Sequence, residues 1–312
     1  MRRRLSAFVL LVGAMMTALL VLVSTDLAAQ RATSPRPAPT PPRPANSPST
    51  PRAKFAEWAR ITDPLPGPAS AIGFYSAGCL QGAEPLPLDG DGYSVMRPSR
   101  RHYYAHPSLL AYLTQFASAM YARDKQFLLI GDIAPPRGGP MLTGHVSHQN
   151  GLDADIWFTT RATRPTNVQR EQLGAPTFVT GRKTLKPTWG AAQAKLLAAA
   201  ADNDEVNRIF VSPPIKRYMC KEYPKAAWLY RIRPWWGHEE HFHVRLVCPA
   251  ENPLCNEQDG LNPADNGCGA DLDWWFSAEA DRDWQRLSTS TEPRSFPDLP
   301  PQCAAMPAPR SR

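Results

Sequence analysis

Cysteine pairs spaced as metal thiolates are missing from this chain: its six cysteines, at 79, 220, 248, 255, 268 and 303, include no CxxC. That absence argues against finger- and ribbon-type metal sites and leaves an even set suited to disulfides in an oxidising compartment. Acidic residues are almost missing from the first 54 positions, where eight Lys or Arg face one acid, Asp26, a net +7 that equals the formal charge of the whole chain. The remainder is therefore balanced and lacks the basic footprint of a nucleic-acid-binding surface. No internal repeat is evident, which leaves solenoids and propellers without support. Histidine is scarce, with 7 in 312 residues, so where it concentrates is informative.

It concentrates twice. The first stretch, Gly144-His145-Val146-Ser147-His148-Gln149-Asn150-Gly151-Leu152-Asp153-Ala154-Asp155-Ile156-Trp157, sets two histidines in a Gly-flanked loop ahead of an alternating segment. From Leu152 to Phe158 the alternation places Leu152, Ala154, Ile156 and Phe158 on one strand face and Asp153, Asp155 and Trp157 on the other. His148 and Asp155 can then converge on one ion, a nitrogen-and-oxygen half-site suited to zinc. The second stretch places His238, His241 and His243 within six residues. If His241 to Leu246 is a strand, His241 and His243 share a face while Phe242, Val244 and Leu246 pack inward. That strand edge supplies both a third ligand and a neighbouring imidazole. Two neutral imidazoles and a carboxylate leave a divalent ion one net positive charge and an open position, as catalytic sites do.

Along the chain, Arg2, Arg3 and Arg4 precede an apolar run from Leu5 to Val23, the pattern of an export signal ending near Ala29. An uncleaved membrane anchor is the alternative, since the run is near the shortest that spans a bilayer. Residues 30–54 carry eight prolines between Pro35 and Pro51 and no apolar periodicity, so they read as an extended linker. One domain is expected over 55–303, followed by a short tail, 304–312. Within it, His106-Pro107 opens a helix, Phe127 to Ile133 reads as a buried strand, and residues 159–186 read as a polar surface excursion. Ala191 to Ala201 reads as a helix, and Arg208 to Val211 as a strand stopped by Pro213-Pro214. Strands and helices without a regular βαβ rhythm indicate α+β with a mainly antiparallel sheet. Trp274-Trp275-Phe276 is read as core packing over a glycan platform; Trp235-Trp236 fits a cleft wall and core equally.

The run Ser147-His148-Gln149-x-Gly151-Leu152-Asp153-x-Asp155-Ile156, together with Arg231-Ile232-Arg233-Pro234-Trp235 and His243-Val244-Arg245-Leu246-x-Cys248-Pro249, resembles the penicillin-insensitive murein endopeptidases over about residues 58–303. More distantly, the His-x6-Asp and His-x-His motifs resemble lysostaphin-type and D-alanyl-D-alanine zinc metallopeptidases. The resemblance implies a single disulfide-stapled catalytic domain with one zinc ion and the pairings Cys79–Cys303, Cys220–Cys268 and Cys248–Cys255. It implies hydrolysis of D-alanyl–meso-diaminopimelyl cross-links of peptidoglycan in the periplasm. His148, Asp155 and His243 are the expected metal ligands, and His145 is a candidate further ligand. His241 is the expected general base, with His238 assisting substrate or base. Glu240, three residues before His243, is the rival base if the strand begins after it. Residues 159–187 contain no histidine, which departs from members carrying an additional Asp and His there and puts a second zinc in doubt. A D-alanyl-D-alanine carboxypeptidase and a non-catalytic zinc-containing wall-binding module are the rival functions.

Overall fold

The computed structural model describes residues 56–141, 145–289 and 298–307. The expected export segment and linker lie outside them, as does the tail beyond residue 307. Among the described residues no helix is long and apolar enough to cross a membrane.

Among the described residues, thirteen strands and several helices follow in order. β1 (Ser70–Phe74) and β2 (Ala77–Gln81) form a hairpin, and β3 (Glu84–Pro85) pairs with β6 (Tyr104–Ala105). β9 (Val179–Thr180) and β10 (Thr184–Leu185) form a second small hairpin. The central sheet uses β4 (Asp89–Gly90), β5 (Tyr93–Val95), β7 (Leu128–Ile130), β8 (Asp153–Trp157), β11 (Val206–Val211), β12 (Ile232–Pro234) and β13 (His241–Leu246). Its seven strands run in the order β12-β11-β13-β8-β7-β5-β4. The β11–β12 and β5–β7 pairs are parallel and the rest are antiparallel. The domain is thus α+β with a mainly antiparallel sheet, as the sequence indicates.

β8 and β13 stand side by side at the middle of this sheet, with Asp155 opposite His243 and Asp153 opposite Arg245. Their period-two pattern puts Ala154, Ile156, Phe242 and Val244 into the main core, all 0% exposed. The helix Pro107–Asp124 adds Leu109, Tyr112, Leu113, Phe116, Ala117 and Met120 to that core. Its start follows from chemistry: Pro107 needs no N–H partner in the first turn, and the His106 side chain accepts the Ser108 N–H at 3.2 Å.

Two segments differ from expectation. The apolar run Phe127 to Ile133 pairs as a strand only over Leu128–Ile130. Beyond it, Gly131 N–H donates to Asp155 O at 2.7 Å and Asp132 O accepts from Asp155 N–H at 3.0 Å. Two residues therefore face one, as in a β-bulge, which re-aims the Asp132 side chain. Gly131 suits that spot because a Cβ there would meet the Trp157 indole nitrogen at 3.2 Å. Pro213-Pro214 also does more than stop β11, since it opens the helix Pro213–Glu222 in the first-turn positions proline tolerates. The excursion 159–186 contains the short helix Asn167–Gln172, held by a capping box from Thr166 and Gln169, as well as β9 and β10.

All three expected disulfides are present: Cys79–Cys303, Cys220–Cys268 and Cys248–Cys255. The first closes a loop of 224 residues, worth about 5 kcal/mol on a chain-entropy estimate.

Candidate metal centre

Asp155 is the hub. It sits on the polar face of β8, fully enclosed, and imidazoles approach it from two directions. From the preceding loop, His145 Nδ1 lies 3.4 Å from Asp155 Oδ2 and His148 Nε2 lies 3.4 Å from Asp155 Oδ1. From the neighbouring strand, His243 Nδ1 is 3.3 Å and His241 Nε2 3.6 Å from Asp155 Oδ1. One ligand atom from each of His145, His148 and Asp155 falls within 4.8 Å of the others, the spacing of a group that can hold a metal ion. The His243 ring packs on that of His148, with centroids 4.5 Å apart.

His148 and His145 are each hydrogen-bonded through the nitrogen turned away from Asp155. His148 Nδ1 meets the Asp153 carbonyl at 3.3 Å. His145 Nε2 meets Asp132 Oδ2 at 3.1 Å. His243 Nε2 lies 3.2 Å from Asp153 Oδ2, at ion-pair distance though off the line of a hydrogen bond. A proton carried on each outward nitrogen would turn the lone pairs of His145 Nδ1, His148 Nε2 and His243 Nδ1 toward the centre once the ring is neutral, as metal binding requires.

Asp153 does most of the bracing. It is fully buried, accepts two parallel hydrogen bonds from Arg245 at 2.9 Å each, and accepts the His148 backbone N–H at 3.1 Å. That last bond holds His148 in the left-handed conformation, φ 70°, which a non-glycine residue adopts only when its surroundings fix it.

The charges point the same way. Burial works against ionisation of Asp155, yet His241 and His148 hold it well below the ordinary carboxylate range. Burial likewise opposes the Asp153 charge, and Arg245 and His243 outweigh it. Burial lowers His148 and His238, favouring the neutral form that metals bind. His243 is pushed up to about 9, against its burial, by Asp153 and Asp155. The cluster thus draws positive charge to its centre. His148 Nε2 and Asp155 Oδ1 are buried without a hydrogen bond among the described residues, a costly arrangement that a cation between them relieves. The donor set therefore fits a metal ion.

His238 and His241 stand beside the centre, ring centroids 5.3 Å apart. His238 Nδ1 meets the Trp236 carbonyl at 2.9 Å. β13 begins at His241, which meets the condition set for Glu240, but the Glu240 carboxylate lies 4.0 Å from His241 Nδ1, the nitrogen remote from Asp155. The tryptophans are neither plain core nor open platform: Trp274, Trp275 and Trp236 are partly buried, and Trp235 is 53% exposed.

Sequence reasoning passed over Asp132. Its carboxylate bridges His145, His102 (2.9 Å) and Arg100 (2.7 Å). Burial alone would raise its pKa, but the His102 and His145 hydrogen bonds keep it ionised. The available signal was an acid inside an otherwise apolar run.

An α+β domain whose central sheet gathers imidazoles round one buried carboxylate has the build of a hydrolase with a candidate metal site. More narrowly, the chain belongs to the penicillin-insensitive murein endopeptidase family, whose profile matches residues 71–307. A penicillin-insensitive murein endopeptidase of Yersinia enterocolitica is 39% identical over 257 residues, covering 80% of this chain and 89% of the relative. One of Salmonella arizonae is 38% identical over 252 residues, covering 80% of this chain and 90% of the relative.

Proposed function

We propose that this protein is a zinc-dependent murein endopeptidase of the bacterial periplasm, hydrolysing D-alanyl–meso-diaminopimelyl cross-links in peptidoglycan. The observation that carries the metal reading is the convergence of His148 Nε2 and Asp155 Oδ1, buried and without hydrogen bonds, with His145 and His243 beside them. The relatives' shared description supports the substrate, and three disulfides with a leading Arg-rich apolar segment support the compartment.

His148, Asp155, His243 and His145 are the proposed ligands. Zinc bound there would polarise the scissile carbonyl and make a water acidic enough to lose its proton near neutral pH. His241, 3.6 Å from Asp155 Oδ1, takes that proton at Nε2 as general base. Glu240 lies 4.0 Å from the other ring nitrogen, Nδ1, on the side away from Asp155. His238 keeps Nδ1 on the Trp236 carbonyl and offers Nε2 to substrate. No serine is acylated in such chemistry, which accounts for indifference to β-lactams.

The test is digestion of purified cross-linked muropeptides with and without a chelator, read by mass spectrometry. Dimers should fall to monomers, the chelator should stop this, and zinc should restore it. Release of terminal D-alanine from intact dimers would instead identify a carboxypeptidase.

A further inference from the structure

The sheet face that carries the metal centre continues sideways. Asp155, His243, Phe210 and Arg233 occupy one lateral row across β8, β13, β11 and β12, each the register partner of the next. The Phe210 ring stands between the centre and the exposed aromatic side, 5.4 Å from the His243 ring and 6.0 Å from that of Trp235. Beyond it lies a cavity of about 410 Å³ walled by Arg208, Arg233, Phe210, Trp235 and Trp275, within the size range of ligand sites.

Positive charge in this cavity is under-compensated. Arg245, the register partner of Arg208, is spent on Asp153. Arg208 donates to the Asn207 side chain at 2.7 Å and to the Asp259 carbonyl, and no carboxylate lies within ion-pair distance of it among the described residues. Burial, then the charges of Arg245 and Arg233, push its pKa down to about 10. Arg233 has a buried Nε without a hydrogen bond. Its nearest carboxylate, Asp265, is 3.9 Å away and 54% exposed, a weak partner in solvent. Asp271 also lines the cavity, at its exposed edge.

We propose that this cavity is the subsite for a carboxylate of the wall peptide, gripped by the Arg233 guanidinium with Arg208 behind it and the Trp235 and Trp275 rings walling the chain. This rests on the reading of the protein as a peptidoglycan endopeptidase, whose substrate is a short peptide rich in free carboxylates. The geometry fits that length. Neighbouring strands are about 4.8 Å apart, so Arg233 stands two strands, roughly 10 Å, from the His243 position. An extended peptide advances about 3.3 Å per residue, which puts the held carboxylate about three residues from the bond cut. Arginine suits the task because its planar fork matches a carboxylate.

Two measurements test it. Calorimetry with an uncross-linked stem tetrapeptide, as free acid and with its carboxylates amidated, reads binding without turnover. Kinetics on cross-linked muropeptide dimers in the same two forms read cleavage. Wild type should favour the acid form by roughly tenfold or more in both, as for one hydrogen-bonded charge. Arg233→Gln should raise KM for the acid form about tenfold, leave kcat and bound zinc near wild type, and erase the preference. Arg208→Gln should weaken it in part, and serves as the probe if Arg233→Gln unfolds. Equal handling of acid and amide by wild type, or an unchanged preference in both folded variants, overturns the subsite. Acid-selective binding by a wild type that cleaves neither dimer supports the subsite and counts against the endopeptidase reading alone.

Discussion

The two faces of β8 and β13 are equally hidden from water and are built on opposite terms. On one, Ala154, Ile156, Phe242 and Val244 are 0% exposed, and packing alone stabilises them. On the other, Asp153, Asp155, His243 and Arg245 are at most 5% exposed, and each is held by a named partner or by the centre. Burial therefore does not tell core from site. The contrast shows that a polar residue belongs in an interior when its charge is completed there, and that where two facing groups are left incomplete, as His148 Nε2 and Asp155 Oδ1 are, a ligand belongs.

The polar face is most sensitive at His148. His148→Ala should abolish bound zinc and cleavage together while the disulfide-held apolar side stays folded; metal analysis, turnover and far-UV dichroism read the three. Full activity in that variant would sink the ligand assignment. Next come matched lesions on the two faces. Phe242→Ala should cost about 3–5 kcal/mol through a cavity, and Arg245→Met a similar 3–5 kcal/mol by stranding the Asp153 charge. Adding Asp153→Asn should recover part of the second loss and none of the first, as denaturant midpoints will show.

A smaller effect is expected at the base. His241→Ala should keep zinc and lose on the order of a hundredfold in kcat, while Glu240→Gln loses far less. The reverse order would make Glu240 the base. The gentlest probe is Lys216, a fully buried side chain from the helix that gives Ile215 and Met219 to the core; among the described residues its Nζ reaches only the carbonyls of Leu229 and Asn266, at 2.9 and 2.6 Å. Burial, then Arg233, pushes its pKa down to about 7. The unfolded chain, titrating near 10.4, binds the extra proton between these values, so stability should rise with pH across that window, by at most about 1.4 kcal/mol per unit. Lys216→Met should flatten the slope in urea titrations at pH 7 to 10.

The central strands were legible because period two and side-chain chemistry coincide there: the same alternation that buries Ile156 and Phe242 turns Asp155 and His243 outward. His145 was legible only through the family resemblance, because nothing local dictates that its loop folds back over Asp155. Asp132 was hidden by the apolar residues around it, and its aim depends on a bulge opposite Asp155 that no pattern in Phe127 to Ile133 encodes. The arginine cavity joins β11 and β12 to residues 258–275, segments that meet only through the tertiary fold. Pro213-Pro214 shows the limit of punctuation, since the same residues that end a strand begin a helix.

The Cys79–Cys303 bridge makes the domain a covalent ring that encloses every residue proposed to hold the metal or act on substrate. A protease that cuts once in an outlying stretch such as 159–186 opens a gap without releasing a fragment, because both new ends stay linked through the sulfurs. Cleaved and intact protein then migrate as one species on a gel until a reductant is added. A nick of this kind leaves the strands around Asp155 tethered at their original spacing, and detaching any part of the site takes a second cut.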